Sequence, residues 1–486
     1  AVDAAVTAAL VAGVVAVPSC GIGGYGGHMV IGRPDGKVSA IDFNSAAPEA
    51  ARADMFPRDE KGFVKGGINV HGWLAAGVPG TLAGMQLALD KFGAWSMSSA
   101  LKPAVRYARG GFPITARLAK TIATAAGQFQ KDPGSLRLFL SEGKPLPEGA
   151  TFRNPDLADM LQQLADANSV KAFYRGEIAQ KIAAEFRKNG GLVTASDLAQ
   201  YEACEVAPLV LEWNGRTIYT APLTAGGLTV IQALTTLKAL GWEKLDANDP
   251  KTTHSRLEAV RLAWHDRLTL LGDPQKVDVP VSRLLSKSYA DAAAERVRKA
   301  VADGKALPAN SDGRKADGTI HITAVDSRGM MVALTLTHGE SFGAQVTVDG
   351  LGLVLGHGMS RFDPNPKHPN CPGPAKRPLH NMCPTVVLHD GKPIAAMGTT
   401  GGRRIPNTLF DVLSNFVGLG QPLKDAAAAP RLHTIGNLDL DLSKNTPAAI
   451  AEYLKKAGYN VKTGPGANFN GIARDPKTAE VTGTAG

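Results

Sequence analysis

The rest of the chain is organised around residues 317–326, which read Asp317-Gly318-Thr319-Ile320-His321-Ile322-Thr323-Ala324-Val325-Asp326. Its alternating, β-branched pattern predicts a strand. Thr319, His321 and Thr323 would lie on one face of that strand. Ile320 and Ile322 would lie on the other.

Thr319 directly follows Gly318, and this order gives the strand a possible chemical role. If the bond before Thr319 is cut, the freed α-amine lies on the same residue as the hydroxyl. Such an amine has a pKa of roughly 7.7–8.0 and can take the hydroxyl proton near neutrality. One residue would then be both nucleophile and base. Because Gly-Thr-x-His is a common sequence, an ordinary core strand remains the alternative.

A glycine pair downstream strengthens the chemical interpretation. Residues 393–397 are typical of a strand and residues 407–413 have the apolar spacing of a helix, with Gly401 and Gly402 between them. Consecutive glycines at such a turn expose backbone N–H groups that can stabilise an oxyanion. A plain tight turn is the alternative.

Together these segments resemble the γ-glutamyltranspeptidase family of N-terminal-nucleophile hydrolases, and the resemblance covers nearly the whole chain. Besides the Thr319 strand and the Gly401-Gly402 turn, it rests on these ordered segments: Ala1-Val2-Asp3-Ala4-Ala5-Val6, Ser19-Cys20-Gly21-Ile22-Gly23-Gly24, Gly77-Val78-Pro79-Gly80-Thr81, residues 172–179, Gly190-Gly191-Leu192-Val193-Thr194, Asp266-Arg267, Gly272-Asp273-Pro274, Lys376-Arg377-Pro378-Leu379, Pro384-Thr385 and Ala429-Pro430-Arg431-Leu432-His433.

The resemblance implies an αββα sandwich, with two stacked sheets between helical layers. It also implies a zymogen that cuts itself between Gly318 and Thr319. The large chain, residues 1–318, and the small chain, residues 319–486, would stay together as one globular heterodimer. Whether two heterodimers associate stays open.

The same resemblance assigns roles at the site. Thr319 would attack a substrate amide, the N–H groups of Gly401 and Gly402 would hold the oxyanion, and water or an amine would resolve the acyl-enzyme. Thr337 matches a family threonine that supports the nucleophile by hydrogen bonding. Neither a metal nor an organic cofactor is expected.

Five positions depart from the family pattern for γ-glutamyl groups. The α-carboxylate partners, an arginine and a serine pair, are replaced here by Asn44 and by His380-Asn381. The α-ammonium partners, an aspartate and an asparagine, are replaced by Arg361 and Gly339. A guanidinium facing an ammonium costs affinity. We therefore expect poor recognition of γ-glutamyl groups.

Arg361, helped by Arg403 and His357, suits an acyl group that carries a carboxylate but no ammonium. A structural ion pair is the alternative for Arg361. The sequence thus favours an amidohydrolase for an acidic amide with an oxamate-like or glutaryl-like acyl group. A γ-glutamyl hydrolase or transpeptidase acting on glutathione-like substrates is a second possibility. An uncleaved, inactive binding protein is the third.

Composition excludes several other classes of protein. The 486 residues are 44% hydrophobic, with 54 Gly and 31 Pro, as in a globular chain with a large core. The net charge of +9 is scattered, so no nucleic-acid partner is expected. The four cysteines lack Cys-x-x-Cys spacing, which argues against zinc or redox chemistry and leaves disulfide pairing open.

Two segments resemble a membrane-associated segment and a nucleotide-binding motif. Residues 4–17 are apolar but too short to span a bilayer and have no preceding positive charge, which favours a buried helix and no membrane partner. We expect the native N-terminus to be missing, which leaves a cytoplasmic or a periplasmic location open. Residues 21–26 match Gly-x-Gly-x-x-Gly, but a helix precedes them and a strand follows, the reverse of a nucleotide site.

Two further segments complete the sequence-based expectations. In the helix predicted over residues 253–270, His254, Glu258 and His265 have spacings that could hold a metal, although surface or packing roles are favoured. The polar stretch 301–318 predicts an exposed loop before the proposed cut.

Overall fold

The computed structural model describes residues 1–246, 249–308, 318–464 and 466–486. Its helices are α1 (Val2–Val15), α2 (Thr81–Phe92), α3 (Met97–Gly110), α4 (Ala116–Phe129), α5 (Pro133–Phe139), α6 (Pro155–Asp166), α7 (Lys171–Arg175), α8 (Glu177–Lys188), α9 (Ala195–Gln200), α10 (Gly227–Ala239), α11 (Pro250–Leu270), α12 (Val281–Leu284), α13 (Lys287–Asp303), α14 (Arg404–Leu413), α15 (Leu423–Ala428) and α16 (Ala448–Lys456).

The strands complete the set of regular elements. They are β1 (Gly26–Gly32), β2 (Val38–Asp42), β3 (Phe112–Pro113), β4 (Leu140–Ser141), β5 (Lys144–Pro145), β6 (Thr151–Phe152), β7 (Cys204–Val206), β8 (Leu209–Trp213), β9 (Arg216–Thr220), β10 (Ile320–Val325), β11 (Met331–Thr337), β12 (Thr347–Val348), β13 (Leu353–Val354), β14 (Thr385–His389), β15 (Lys392–Thr400), β16 (Leu432–His433), β17 (Asp439–Leu442), β18 (Asn460–Thr463), β19 (Asn468–Arg474) and β20 (Val481–Ala485).

Two antiparallel sheets form the centre of the described structure. The first has the order β10-β11-β1-β2-β7 and the second the order β20-β19-β15-β14-β9-β8. Each sheet combines strands from before and after residue 318. Strand β10 lies at the edge of the first sheet and pairs with β11, so that His321 faces Thr335.

The apolar side chains define four layers, as the sequence predicts. Between the sheets, Val30 and Ala333 of the first sheet share a buried cluster with Val386 and Ala396 of the second. On the outer face of the first sheet, residues of α1, α3 and α6 form a second cluster. On the outer face of the second sheet, residues of α10, α11 and α14 form a third. This is an αββα sandwich.

The alternation predicted for residues 317–326 is present, with one adjustment at its start. Ile320, Ile322 and Ala324 pack against the helix-side cluster. His321 points to the other sheet, where a Cβ added to Gly398 would lie 2.2 Å from its ring. The strand begins at Ile320, so Thr319 lies just outside the regular ladder.

The other predicted segments fold largely as expected. Helix α11 begins three residues before its predicted start, β15 and α14 contain the strand and the helix predicted on either side of the glycine pair, and the apolar run near the N-terminus is helix α1. Within the described residues, no helix is long and apolar enough to cross a membrane. The loop expected over 301–318 is shorter at its start because α13 continues to Asp303, and residues 309–317 lie outside the described residues.

The structure also shows the state of the four cysteines and the surroundings of Glu258 on α11. All four cysteines are free thiols. Glu258 accepts from Arg261 Nη1 at 2.6 Å and from the Leu307 N–H at 2.9 Å, deep in the core beside His254. In the described part of the chain, no group of three or more His, Cys, Asp or Glu side chains could hold a metal ion. The packing role favoured for this helix is the one observed.

Candidate active site

Thr319, Gly318 and Thr337 form a compact hydrogen-bonded group at the start of β10. The Thr319 hydroxyl donates to the Gly318 carbonyl oxygen at 2.6 Å and lies 3.4 Å from Thr337 Oγ1. The Thr337 hydroxyl donates to the same carbonyl oxygen and accepts from the Gly339 N–H at 2.7 Å. The carbonyl that precedes Thr319 is therefore held by two hydroxyl donors.

Gly318 adopts a conformation that requires glycine. Its φ is +99°, a left-handed value that L side chains rarely adopt. A Cβ at this position would also lie 3.1 Å from the backbone carbon of Glu340. The backbone at residue 318 thus favours glycine, and a side chain there would press on the Glu340 backbone.

Two contacts between the sheets place the Gly401-Gly402 turn at the same end as Thr319. His321 of β10 lies against Gly398 of β15, whereas Gly32, which pairs with the Met331 end of β11, lies against Pro393 at the other end of β15. Strands β10 and β15 therefore run in opposite directions across the interface. The residue before β10 and the turn after β15 consequently lie at one end of the sandwich.

The glycine turn itself leaves two donors available. Gly401 and Gly402 have φ values of +118° and +59°. Their carbonyls accept the N–H groups of Arg404 and Ile405 at 3.1 and 3.2 Å as α14 begins. Neither glycine N–H donates to another residue of the described chain. This is the arrangement that an oxyanion site needs.

His321 is not suited to be the base, although it is close to Thr319 in sequence. Its ring is buried between the sheets, and Nδ1 lies 2.7 Å from Thr335 Oγ1. Burial lowers the pKa of His321 from 6.5 to about 3. The imidazole is therefore a neutral packing element between the two sheets.

A cavity of about 870 Å³ lies beside this group of residues. Of the predicted binding residues, Arg361, Asn381 and Arg403 line it. Glu340, whose backbone contacts the space around Gly318, lines it as well. Glu340 is thus the cavity residue nearest to Gly318, whereas Thr319, Thr337, Gly401 and Gly402 are not among the described residues that line the cavity.

Arg361 is fixed at the cavity wall by its neighbours. Its Nη2 donates to the Gly339 carbonyl at 2.8 Å and lies 3.2 Å from His357 Nε2. His357 Nδ1 lies 3.2 Å from the Val70 carbonyl, so the Nδ1-protonated tautomer donates there and presents Nε2 to Arg361. Burial, and then the charge of Arg361, hold the pKa of His357 well below its usual range. His357 therefore orients Arg361 as a neutral acceptor.

Asn44 and His380 lie behind the cavity rather than along it. Asn44 is fully buried and its Nδ2 donates at 2.7 Å both to Thr224 Oγ1 and to the Pro378 carbonyl. His380 is 1% exposed and its Nε2 lies 3.0 Å from His28 Nδ1. The pair His380-Asn381, where the family resemblance implied substrate contacts, therefore has one member on the cavity wall, Asn381, and one buried behind it, His380.

Arg267 is a charged cavity residue that was not among the predicted binding residues. Arg267, near the end of α11, lines the cavity together with Arg361 and Arg403. The sequence contained a signal, because Asp266-Arg267 is one of the matching family segments. The sequence Asp266-Arg267 does not show which way the Arg267 side chain points. Its direction follows from the packing of α11 against residues 379–381.

Known proteins resemble this chain over nearly its whole length. The sequence model of the family described as gamma-glutamyltranspeptidase matches residues 1–485. The glutathione hydrolase proenzyme of Escherichia coli K12 is 35% identical over 447 residues, which cover 89% of this chain and 77% of that protein. The acylase ACY 1 proenzyme of Pseudomonas sp. strain SE83 is 33% identical over 494 residues, which cover 100% of this chain and 87% of that protein.

A solved structure agrees with the sequence comparison. The crystal structure of cephalosporin acylase from Bacillus halodurans has a TM-score of 0.88 to this chain at 26% identity, and the match covers 100% of this chain and 89% of that one. Glutathione hydrolases and acylases are therefore both similar to this chain over most of its length.

Proposed function

The chain belongs to the γ-glutamyltranspeptidase family of N-terminal-nucleophile hydrolases, as predicted from its sequence, and on that basis we propose that it is a self-processing amidohydrolase with Thr319 as its nucleophile. The observation that carries the proposal is the Gly318 carbonyl held by the hydroxyls of Thr319 and Thr337. Its relatives are named proenzymes, which agrees with a chain that matures by cutting.

The proposed cut begins with an acyl shift. Thr319 Oγ1 attacks the Gly318 carbonyl carbon, and the Thr337 hydroxyl donates to the oxygen that becomes negative. The C–N bond then breaks, the nitrogen takes the hydroxyl proton, and residue 318 is left as an ester on Thr319. Water hydrolyses this ester. The products are a carboxylate at Gly318 and a free α-amine at Thr319.

The mature site would then act on a substrate amide. The new α-amine takes the proton of Thr319 Oγ1 as this oxygen attacks the amide carbonyl. The N–H groups of Gly401 and Gly402 donate to the developing oxyanion. The leaving amine takes the proton, and water or an amine acceptor releases the acyl group from Thr319.

The cavity supports an acidic acyl group as the substrate. Arg361 lies at the cavity wall in the place where γ-glutamyl-specific relatives have an aspartate, and His357 and Gly339 orient it. A guanidinium attracts a carboxylate and repels an ammonium. We therefore favour an oxamate-like or glutaryl-like acyl group over an α-amino acyl group.

A γ-glutamyl hydrolase or transpeptidase is the second candidate, because the E. coli glutathione hydrolase proenzyme is 35% identical to this chain. The two candidates differ in the charge at the end of the acyl group that is remote from the reacting amide. Comparing hydrolysis of glutaryl-p-nitroanilide with that of γ-glutamyl-p-nitroanilide distinguishes them, since the two acyl groups differ only in the α-ammonium group.

The division of the chain fits a heterodimer that stays together. Residues 1–318 supply β1, β2 and β7 to the first sheet and β8 and β9 to the second, and residues 319–486 supply the other strands. A cut at Gly318 would therefore leave every inter-segment strand pair intact. We propose that the two chains remain one globular unit.

The deciding experiment is the intact mass of the wild-type protein beside that of a Thr319→Ala variant. We expect two fragments that meet at Gly318/Thr319 in the wild type and one full-length chain in the variant. A folded wild-type protein that stays uncut would overturn the proposal and favour a binding protein. Substrate choice is then tested with the two anilides on the processed enzyme.

A further inference from the structure

Arg267 is a buried cation at the cavity wall. It lies near the end of α11, is 4% exposed and lines the same cavity as Arg361 and Arg403. Its guanidinium stacks over the Trp264 ring at 5.8 Å. Burial and the contact with the Trp264 ring hold the guanidinium in one orientation, so its N–H donors point in fixed directions.

One side of the guanidinium is anchored, and the other has no hydrogen-bond partner among the described residues. Nη2 donates to the His380 carbonyl at 2.6 Å. Nη1 is buried and has no hydrogen-bond partner among the described residues. A buried charged donor without a partner is costly, and an anionic ligand would remove that cost.

The charge around the cavity favours such an anion. Among the described residues, five cationic side chains and two carboxylates line it. The cations are Arg58, Lys61, Arg267, Arg361 and Arg403, and the carboxylates are Glu340 and Asp363. Burial and the nearby charge of Arg403 lower the pKa of Arg267 to about 10, which still leaves it charged at neutral pH.

The anchor of Arg267 is itself held by a buried relay. His380 Nδ1 accepts the Met382 N–H at 3.2 Å, so its Nε2 carries the proton and donates to His28 Nδ1 at 3.0 Å. His28 Nε2 then faces Asp42 Oδ1 at 3.4 Å, and Arg377 Nη1 lies 2.9 Å from Asp42 Oδ2. This chain fixes the backbone at residue 380, which both holds Arg267 and presents Asn381 to the cavity.

We propose that Arg267 is a second carboxylate-binding residue of the acyl site, which together with Arg361 selects monoamides of short dicarboxylic acids. This inference rests on the proposed function of the site. Nη1 of Arg267 donates to the acyl carboxylate, while Nη2 stays on the His380 carbonyl. A neutral acyl group of the same length would leave Nη1 unsatisfied.

Binding to the uncut Thr319→Ala chain tests the inference without turnover. The probes are the dicarboxylates malonate, succinate, glutarate and adipate, with glutaramide as the neutral partner of glutarate, measured by calorimetry. We expect at least one dicarboxylate to bind, and Arg267→Gln to weaken it about 10- to 100-fold, as for the loss of one charged hydrogen bond. Arg267→Lys should recover part of this loss.

Glutaramide separates binding from a structural role, because a residue that only supported the fold would affect both ligands. Equal weakening of glutarate and glutaramide by Arg267→Gln would overturn the proposal, and so would failure of all four dicarboxylates to bind. Arg283→Gln is the matched control, since Arg283 is exposed and stacks on Tyr289 away from the cavity lining. A wild-type chain that stays uncut would overturn the enzyme proposal while leaving this binding result valid.

Discussion

The hydroxyl of Thr337 donates to the carbonyl oxygen of Gly318, across the two strands of one hairpin. This contact places a donor on the oxygen that would become negative during the proposed cut. It also separates the self-cutting step from substrate turnover, because the glycine turn after β15 supplies different donors. The two steps should therefore respond to different substitutions.

Thr337→Ala should slow processing about 100-fold, which is the usual effect of removing one oxyanion donor. Thr337→Ser keeps the hydroxyl and should process at a rate closer to that of the wild type. The measurement is the fraction of uncut chain against time after purification, by intact mass. Thr323→Ala, on the same hairpin but further along β10, is the control. Equal rates in Thr337→Ala and the wild type would contradict the assigned role.

Gly318→Ala should also slow processing, about tenfold. The left-handed φ at this position costs an alanine roughly 1–2 kcal/mol, and its Cβ would press on the Glu340 backbone. The carbonyl would then move away from Thr337. Gly304→Ala is the matched control, because Gly304 also has a positive φ of +61° but nothing lies within 4 Å of its Cβ. Its processing rate should not change.

Gly401→Ala should impair turnover more than processing. A Cβ at this position would force an unfavourable backbone at φ +118° and lie 3.3 Å from Ala467 Cβ, which displaces the N–H groups of the turn. We expect kcat on glutaryl-p-nitroanilide to fall about 100-fold or more. Intact mass should still show two fragments. Loss of both steps together would mean that the turn also serves the cut.

Arg361→Asp should reverse the preference between acyl groups. The carboxylate would offer a partner to an α-ammonium and repel an acyl carboxylate. We expect the ratio of kcat/KM for γ-glutamyl-p-nitroanilide over glutaryl-p-nitroanilide to rise at least tenfold. Arg361→Gln, which only removes the charge, should lower glutaryl hydrolysis without the gain for γ-glutamyl. An unchanged ratio in Arg361→Asp would place substrate selection elsewhere.

Folding stability should fall as the pH drops below about 6.5. Burial lowers the pKa of His321, His338 and His433 to about 3, so the folded state keeps them neutral while the unfolded chain protonates them. Protonation of these histidines in the unfolded chain therefore does not reduce the free energy of unfolding above pH 6.5. As the pH falls from 6.5 toward 3, the free energy of unfolding decreases by about 1.4 kcal/mol per pH unit for each of the three groups.

His338→Gln tests this origin of the acid sensitivity. Both ring nitrogens of His338 are buried without a hydrogen-bond partner among the described residues. The variant should therefore show a shallower dependence of the unfolding free energy on pH between 4 and 6, by about one proton. Denaturant titrations at several pH values provide the measurement. A slope equal to that of the wild type would assign the acid sensitivity to other groups.

The family resemblance predicted the four layers, and the alternation of apolar and polar residues predicted the strand at 317–326. Ile320 and Ile322 face the helices and His321 faces the second sheet, as their spacing requires. The sequence could not predict that Thr319 falls outside the ladder, since strand ends depend on which backbone groups find partners.

The binding residues were predicted less completely, because a residue type does not reveal the direction of its side chain. The family resemblance implied substrate contacts at the positions of Asn44 and His380, yet here hydrogen bonds turn both side chains away from the cavity. Arg267 reaches the cavity from a helix far away in sequence, and only the packed structure brings it beside Arg361.

The strand order of the two sheets determines how the protein would unfold and refold after the cut. Both sheets interleave strands from before and after residue 318, so a cut there would turn one folding chain into two that share every layer. Unfolding would then release separate molecules, and recovery would require them to meet again. Such a protein folds easily once, as a precursor, and its later stability would depend on concentration.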